Sequence, residues 1–102
     1  MAEVRVIARA VARKGKESQL RELLRGMLAP TRAETGCRLY ELYESESKGR
    51  FYFYETWESP AALDQHRATP HLKHLKEAIV ELVQEPFEVN ILERITTGAA
   101  TA

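Results

Sequence analysis

The sequence has no excess of charge of either sign, because its 15 basic residues are balanced by 15 acidic residues. A domain that binds nucleic acid concentrates Lys and Arg on one face, and a protein held electrostatically on a membrane needs a basic cluster. We therefore expect neither nucleic acid nor a membrane among the partners. The single cysteine, Cys37, excludes an intramolecular disulfide and suits a reducing compartment.

Long apolar runs and cofactor-binding motifs are also missing. No run approaches the roughly 20 apolar residues that span a bilayer, and the first residues, Met-Ala-Glu-Val-Arg-Val, lack the apolar core of a signal peptide. There is no phosphate-binding loop, no dinucleotide glycine fingerprint and no recognisable Ser-His-Asp spacing. The sequence thus predicts a cytoplasmic protein that needs no flavin, nicotinamide or other cofactor.

The apolar residues that are present follow two periods, one typical of strands and one typical of helices. The predicted strands cover 3–12, 37–46, 51–57 and 87–95, and the predicted helices cover 17–34, 60–68 and 70–84. The resulting β-α-β-β-α-β order predicts an α+β, ferredoxin-like fold, with an antiparallel four-stranded sheet and helices on one face. We expect one domain over residues 1–96 and a disordered tail over 97–102.

Three prolines are placed where they define helix geometry. Ser59-Pro60 and Thr69-Pro70 each combine a good N-cap with a proline at the first helical position, and they predict two helix starts. Pro30 falls inside the helix predicted over 17–34. Because a proline ring clashes with the carbonyl four residues back, we expect one kinked helix there.

The third predicted strand is apolar on both faces. Phe51, Phe53 and Trp57 alternate with Tyr52 and Tyr54. Helices cover only one face of such a sheet, so the other face needs a cover of its own. A second copy, packed sheet on sheet about a two-fold axis, is the simplest cover, and we expect a homodimer. A monomer with tyrosines on an exposed sheet is the alternative.

Three stretches of the chain resemble a known family. They are Glu34-Thr-Gly-Cys-Arg-Leu-Tyr-Glu-Leu-Tyr43, then Phe53-Tyr-Glu-Thr-Trp-Glu-Ser-Pro-Ala-Ala-Leu-Asp-Gln-His66, then Thr69-Pro-His-Leu72. Together they resemble the antibiotic biosynthesis monooxygenase (ABM) domain family over residues 3 to 95. The resemblance implies a dimeric α+β barrel. It also implies one of several activities, since some members oxidise phenolic, quinol or anthrone substrates without a cofactor, some degrade haem, and others have no known activity.

Trp57 and His66 are the candidate catalytic residues. Trp57 would stack on a flat aromatic substrate, with a core tryptophan as the alternative. His66 would take a proton from a phenol, and a hydrogen bond to the helix break near Thr69 is the alternative. Phe53 stands where the family's well-studied monooxygenases have a substrate-binding asparagine, which makes the predicted pocket more apolar. Leu63 and His71 complete the expected substrate-binding residues, which are Phe53, Trp57, Leu63 and His71.

Other polar residues receive structural interpretations. His71 and His74 lie three apart, but no third ligand has supporting spacing, so no metal site is expected. The tyrosines are assigned to packing and Cys37 to a small buried position. Glu55 lies on the helix-facing side of its strand and needs a partner there, for which Arg5 or Arg9 is the candidate.

The sequence favours a cofactor-independent monooxygenase that oxidises a small quinol or phenol with O₂. A deprotonated phenol is electron-rich enough to pass an electron to O₂, so the substrate can take the place of a flavin. A small-molecule binding or stress-response module with the same fold is the alternative. Haem degradation is the weaker alternative, because the residues needed around the iron have no obvious position.

Overall fold

A computed structural model describes residues 3–96 and contains one antiparallel four-stranded sheet. The strands are β1 (Val4–Val11), β2 (Cys37–Glu44), β3 (Arg50–Trp57) and β4 (Glu88–Leu92), and the helices are α1 (Glu17–Arg25), α2 (Leu28–Arg32), α3 (Pro60–Arg67) and α4 (Pro70–Ala78), followed by a 3₁₀ turn (Ile79–Glu81). The strand order β2-β3-β1-β4 is that of the ferredoxin-like fold, so the predicted fold class is confirmed. The tail predicted over 97–102 lies outside the described residues.

The strand alternation read from the sequence is confirmed in the register of the sheet. Val6 pairs with Glu55, and Ala8 pairs with Phe53, so these side chains share the helix-covered face. The core lies between this face and the helices, where Leu20, Leu24 and Leu75 are fully buried. No helix of residues 3–96 has the length and apolar character that crossing a bilayer requires.

The helix predicted over 17–34 is two helices, so the expectation of a single kinked helix was wrong. Pro30 has no N–H to donate, and its ring blocks the carbonyl of Gly26. The chain tightens at this point, with the Met27 N–H donating to the Leu24 carbonyl at 3.0 Å. α2 then restarts at Leu28, where Pro30 falls in the first turn and interrupts no further hydrogen bond.

Both proline-marked helix starts are confirmed. The Ser59 hydroxyl accepts from the Ala62 N–H at 3.2 Å, and Thr69 accepts from the Leu72 N–H at 3.3 Å. Three ends come earlier than predicted. The strand β2 ends at Glu44, α4 gives way to the 3₁₀ turn after Ala78, and β4 covers only Glu88–Leu92.

The sheet face opposite the helices has no cover within the described chain. It carries Tyr52 and Tyr54 of β3, both partly exposed, and Tyr43 of β2, which is 53% exposed. The edge strand β4 is exposed at every position, and even its helix-side residues Val89 and Ile91 are 52% and 55% exposed. Apolar surface therefore remains open on the sheet and along one edge.

Candidate functional site

The site is built on the corner where β3 turns into α3. Trp57 is the last residue of β3 and is completely buried. His66, near the end of α3, lies over the indole with a distance of 4.6 Å between ring centroids. The corner closes onto the start of β2 because Gly36 has no side chain. A Cβ added there would lie 2.3 Å from the Cβ of Ala62 in α3.

Glu55 is a buried carboxyl group on the same strand. It is 5% exposed, and its Oε1 accepts a 2.9 Å hydrogen bond from the Trp57 indole Nε1. Burial raises the pKa of Glu55 to about 7, against the opposing effect of this hydrogen bond. The carboxyl group therefore changes its protonation state close to neutral pH.

The predicted arginine partner of Glu55 was wrong. Arg5 pairs in register with Thr56, and Arg9 with Tyr52, so both guanidinium groups start from the opposite face of the sheet. Their ion pairs lie there, with Glu3 for Arg5 and with Glu85 and Glu88 for Arg9. The alternation that places Glu55 inside places both arginines outside.

His66 is held by Glu34, a residue to which the sequence analysis gave no role. The Glu34 Oε2 lies 2.7 Å from the His66 Nδ1 and 2.7 Å from the His71 Nε2. A carboxylate only accepts, so each imidazole carries its proton on the nitrogen facing Glu34. This assignment leaves the Nε2 of His66 as a proton acceptor.

The electrostatics keep His66 ready to accept a proton. Burial lowers the pKa of His66 below its ordinary value, and the Glu34 carboxylate only partly opposes this. The alternative interpretation, a hydrogen bond between His66 and the helix break near Thr69, describes the backbone of His66 and not its ring. Thr69 donates to the backbone carbonyl of His66 at 2.8 Å, while the ring bonds Glu34.

A cavity of about 240 Å³ opens beside His66, between the sheet and the helices α3 and α4. Its walls are mainly apolar, and the polar or charged residues among them are Tyr40, Glu55, His66, Arg67 and Lys76. Within residues 3–96, Thr31 Oγ1 is the only fully buried side-chain N or O atom without a partner. The His66 Nε2, which has no hydrogen-bond partner among the described residues, is therefore not fully buried, and His66 is one of the residues that line the cavity.

Tyr40 is another titratable group of the cavity wall. Burial, and then the charge of Glu55, raise the pKa of Tyr40 against the opposing effect of the nearby Thr31 hydroxyl, so its phenol stays protonated and can donate. The ring stacks on Phe53 at 4.8 Å between centroids. The tyrosines were assigned to packing, and Tyr40 does pack, but it also lines the cavity.

The predicted site residues divide into three groups around this cavity. Leu63 and His66 line it. Trp57 and Phe53, 0% and 1% exposed, lie one layer deeper and support His66 and Tyr40. His71 lies on the far side of His66, with Glu34 between the two imidazoles.

A larger, more open groove of about 540 Å³ runs between the C-terminal end of α4 and β4. Its walls are mostly apolar, with charged groups of Arg13, Lys76 and Glu85 at its edge, and it includes neither His66 nor Glu55. The smaller cavity is the better candidate site, because it brings the titratable residues Glu55 and His66 together with an apolar lining.

Comparison with known proteins agrees with this architecture. The family model described as "Antibiotic biosynthesis monooxygenase" matches residues 3–78. A Mycobacterium tuberculosis protein named "Putative monooxygenase Rv0793" is 42% identical over 97 residues, which are 95% of this chain and 96% of the relative. The chain therefore belongs to the antibiotic biosynthesis monooxygenase family, as the resemblance implied, and membership supports a monooxygenase-type function.

Solved structures show the same fold. The structure of Rv0793 from Mycobacterium tuberculosis superposes with a TM-score of 0.89 at 41% identity. The match covers 96% of this chain and 100% of that one. A Pseudomonas aeruginosa protein, PA3566, superposes with a TM-score of 0.86 at 31% identity, covering 94% of this chain and 97% of that one.

Proposed function

We propose that this protein is a cofactor-independent monooxygenase that oxidises a small phenol or quinol with O₂. One observation carries the proposal. The Glu34 carboxylate fixes the tautomer of His66 so that Nε2 is the unprotonated nitrogen, and His66 lines a cavity with mainly apolar walls. A base oriented by a carboxylate is the arrangement that general-base catalysis requires.

The reaction begins with proton transfer from the substrate hydroxyl to His66 Nε2. The phenolate gives one electron to O₂, and the resulting radical and superoxide combine at a ring carbon to form a hydroperoxide, which takes up the proton held by His66. Loss of the hydrogen on that carbon, with cleavage of the O–O bond, leaves a carbonyl and releases water. A phenol and O₂ thus give a quinone and water, and the substrate supplies every electron.

Glu55 and Tyr40 stabilise the charge that develops in this sequence. The Tyr40 phenol stays protonated and can donate to an anionic oxygen of the substrate or of the peroxide. The Glu55 carboxyl donates in the same way when it is protonated, which its pKa of about 7 permits near neutral pH. Trp57 restrains Glu55 through its N–H and supports the His66 ring from below.

The size of the cavity limits the substrate. Its volume of about 240 Å³ lies below the roughly 300 Å³ at which pockets for drug-sized ligands begin. A single ring with small substituents fits this space, whereas haem and the multi-ring anthrones exceed it. The mainly apolar walls favour a ring with few polar substituents.

We also propose that the protein is a homodimer and that it is located in the cytoplasm. The uncovered sheet face and the exposed side chains of β4 support a homodimer packed sheet on sheet. The free, partly buried thiol of Cys37 and the balanced charge support a cytoplasmic protein without a nucleic-acid partner.

Oxygen uptake with a panel of one-ring hydroquinones and phenols tests the function. We expect His66→Ala to reduce turnover by a factor of about 100 or more, which is the usual contribution of a general base. His74→Ala is the matched control, because His74 is exposed on α4 and should leave the rate unchanged.

Isotopic labelling separates oxygenation from simple oxidation. With ¹⁸O₂, mass spectrometry should show one labelled oxygen in the product and one in water, with no accumulation of hydrogen peroxide. If the quinone is unlabelled and hydrogen peroxide forms in stoichiometric amount, the protein is an oxidase and not a monooxygenase. Tight binding of a phenol without oxygen uptake on the whole panel would assign the chain to the alternative class, a small-molecule binding module.

A further inference from the structure

Three elements that are distant in the sequence bring ligand-type side chains together on the far side of His66. Glu34 follows α2, His66 lies near the end of α3, and His71 is the second residue of α4. Their ligand atoms, one carboxylate oxygen and two imidazole nitrogens, all lie within 4.8 Å of one another. No metal site was expected from the sequence, because His71 and His74 have no third ligand with supporting spacing; in the structure His74 is exposed, and Glu34 and His66 are the groups that meet His71.

The donor set suits a divalent transition metal. Two imidazoles and one carboxylate are a combination that zinc and other first-row ions accept, and three protein ligands leave coordination positions for water. The side chains of His66, Glu34 and His71 are 5%, 15% and 23% exposed. The cluster is therefore shielded but can be reached from solvent on the His71 side.

We propose that Glu34, His66 and His71 form a binding site for a divalent transition metal ion such as Zn²⁺. The helices already place the three groups, so only short side-chain movements are needed. Each oxygen–nitrogen pair, now 2.7 Å apart, must open towards the ~3.4 Å that separates neighbouring ligands of a tetrahedral zinc ion. The ion then replaces the two protons that bridge Glu34 to the imidazoles.

Occupation of this site changes what His66 presents to the cavity. A metal on Nδ1 moves the proton of the neutral ring to Nε2, which becomes a donor and no longer accepts a proton. Bound metal is thus an inhibitor of the proposed general base. This consequence depends on the proposed function, whereas metal binding itself does not.

Titration of the metal-free protein with Co²⁺, followed by its visible absorption bands, tests the site directly, and calorimetry with Zn²⁺ gives the affinity. We expect one ion per chain and an absorption intensity typical of low coordination number. His71→Ala and Glu34→Gln should each weaken binding by more than about tenfold. His74→Ala should bind as the wild type does.

Two further controls keep the outcome interpretable. Cys37→Ser should leave the affinity unchanged, because the thiol does not belong to the cluster. Far-UV circular dichroism establishes that each variant is folded, and Glu34→Gln carries the test should His71→Ala fail to fold. The site would be overturned by no binding to the wild type at millimolar metal, by wild-type affinity in both ligand variants, or by loss of binding in Cys37→Ser.

The inhibitory consequence has its own readout. Zn²⁺ should suppress oxygen uptake by the wild type at the concentration that saturates the calorimetric site, and His71→Ala should lose this sensitivity relative to its own uninhibited rate. Binding with the expected ligand dependence but without any turnover would leave the metal site established and refute the proposed function alone.

Discussion

At the residue scale, Glu55 has the most unusual environment in the described chain. It is a carboxyl group between aromatic side chains, with a single indole hydrogen bond to stabilise its charge. An ionised group in such a position costs free energy that a packed neutral group does not. The protein keeps it in the wall of the cavity, where a proton donor near neutral pH is chemically useful.

The pH dependence of stability should reveal Glu55. Its pKa in the folded state, about 7, is above the ordinary 4.5, so the folded protein binds this proton more tightly than the unfolded chain. Stability from this group is present below about pH 4.5 and is lost as the pH rises towards 7. Glu55→Gln should therefore raise the free energy of unfolding at pH 8 by about 2 to 3 kcal/mol.

Urea denaturation at pH 8 and at pH 4.5 measures this difference. The advantage of the Gln variant should shrink at the lower pH, where the wild-type carboxyl is protonated in the folded protein. A variant that is less stable than the wild type at pH 8 would mean that the charged form of Glu55 is stabilised by groups other than Trp57.

His66 gives a kinetic prediction of the opposite kind. Its pKa is lowered from the ordinary 6.5, so the imidazole is neutral and active above that pH, and kcat/KM should fall only below it. Glu34→Gln removes the carboxylate that favours the charged ring. We expect the acid limb to move to still lower pH and the rate to fall by about tenfold or more, since the tautomer is no longer fixed.

The pH profile of oxygen uptake by both proteins is the measurement. His74→Ala should reproduce the wild-type profile. An acid limb that stays in place when Glu34 is changed would show that the carboxylate does not act on the titrating group.

At the scale of elements, local signals in the sequence were reliable and long-range contacts were not. Ser59-Pro60 and Thr69-Pro70 predicted helix starts because an N-cap and its hydrogen bond lie within three residues. Glu34 had no comparable signal. It meets His66 and His71 across 32 and 37 residues, and only the docking of α3 and α4 beside the start of β2 creates that contact.

The cavity illustrates the same limit. Alternation placed Phe53, Glu55 and Trp57 on the helix-covered face, which the register confirms. It could not show which of these side chains faces free space and which is covered by the next layer. Tyr40 of the neighbouring strand β2 stacks on Phe53, and His66 of α3 lies over Trp57.

The close approach of α3 to the start of β2 depends on Gly36. A Cβ at Gly36 would overlap the Cβ of Ala62, so Gly36→Ala should destabilise the fold by about 1 to 3 kcal/mol, the usual cost of overpacking. The double change Gly36→Ala with Ala62→Gly removes the overlap and should recover part of the loss. Gly26→Ala is the control, because its added Cβ approaches no atom closer than 3.4 Å.

Chemical denaturation of the wild type, the single variants Gly36→Ala and Ala62→Gly, and the double variant measures the coupling between positions 36 and 62. If the double variant is as unstable as the sum of its single changes, steric overlap at this corner is not the reason for the glycine. Because the corner carries Trp57 and His66, the single Gly36→Ala variant should also lower the rate of oxygen uptake.

At the scale of the whole molecule, the open question for the sheet is its second face. A sheet of four strands with one layer of helices leaves this face to water or to a partner. Here it carries tyrosines and Ile7 at its centre, flanked on β1 by Arg5 and Arg9. The aromatic and aliphatic centre with charged groups around it is the usual layout of an interface between subunits.

Ile7→Glu tests this interface with little cost to the isolated chain. Its cross-strand neighbours, Tyr54 and Asn90, are uncharged, and Arg5 and Arg9 on the same face can balance the new carboxylate. In a dimer packed through this face, however, two such carboxylates would be buried near the two-fold axis without water. We expect sedimentation to show a dimer for the wild type and a folded monomer for the variant. The control is Val80→Glu, on the exposed 3₁₀ turn of the helix side, which should remain dimeric. If the wild type sediments as a stable monomer at micromolar concentration, the apolar second face of the sheet does not cause pairing.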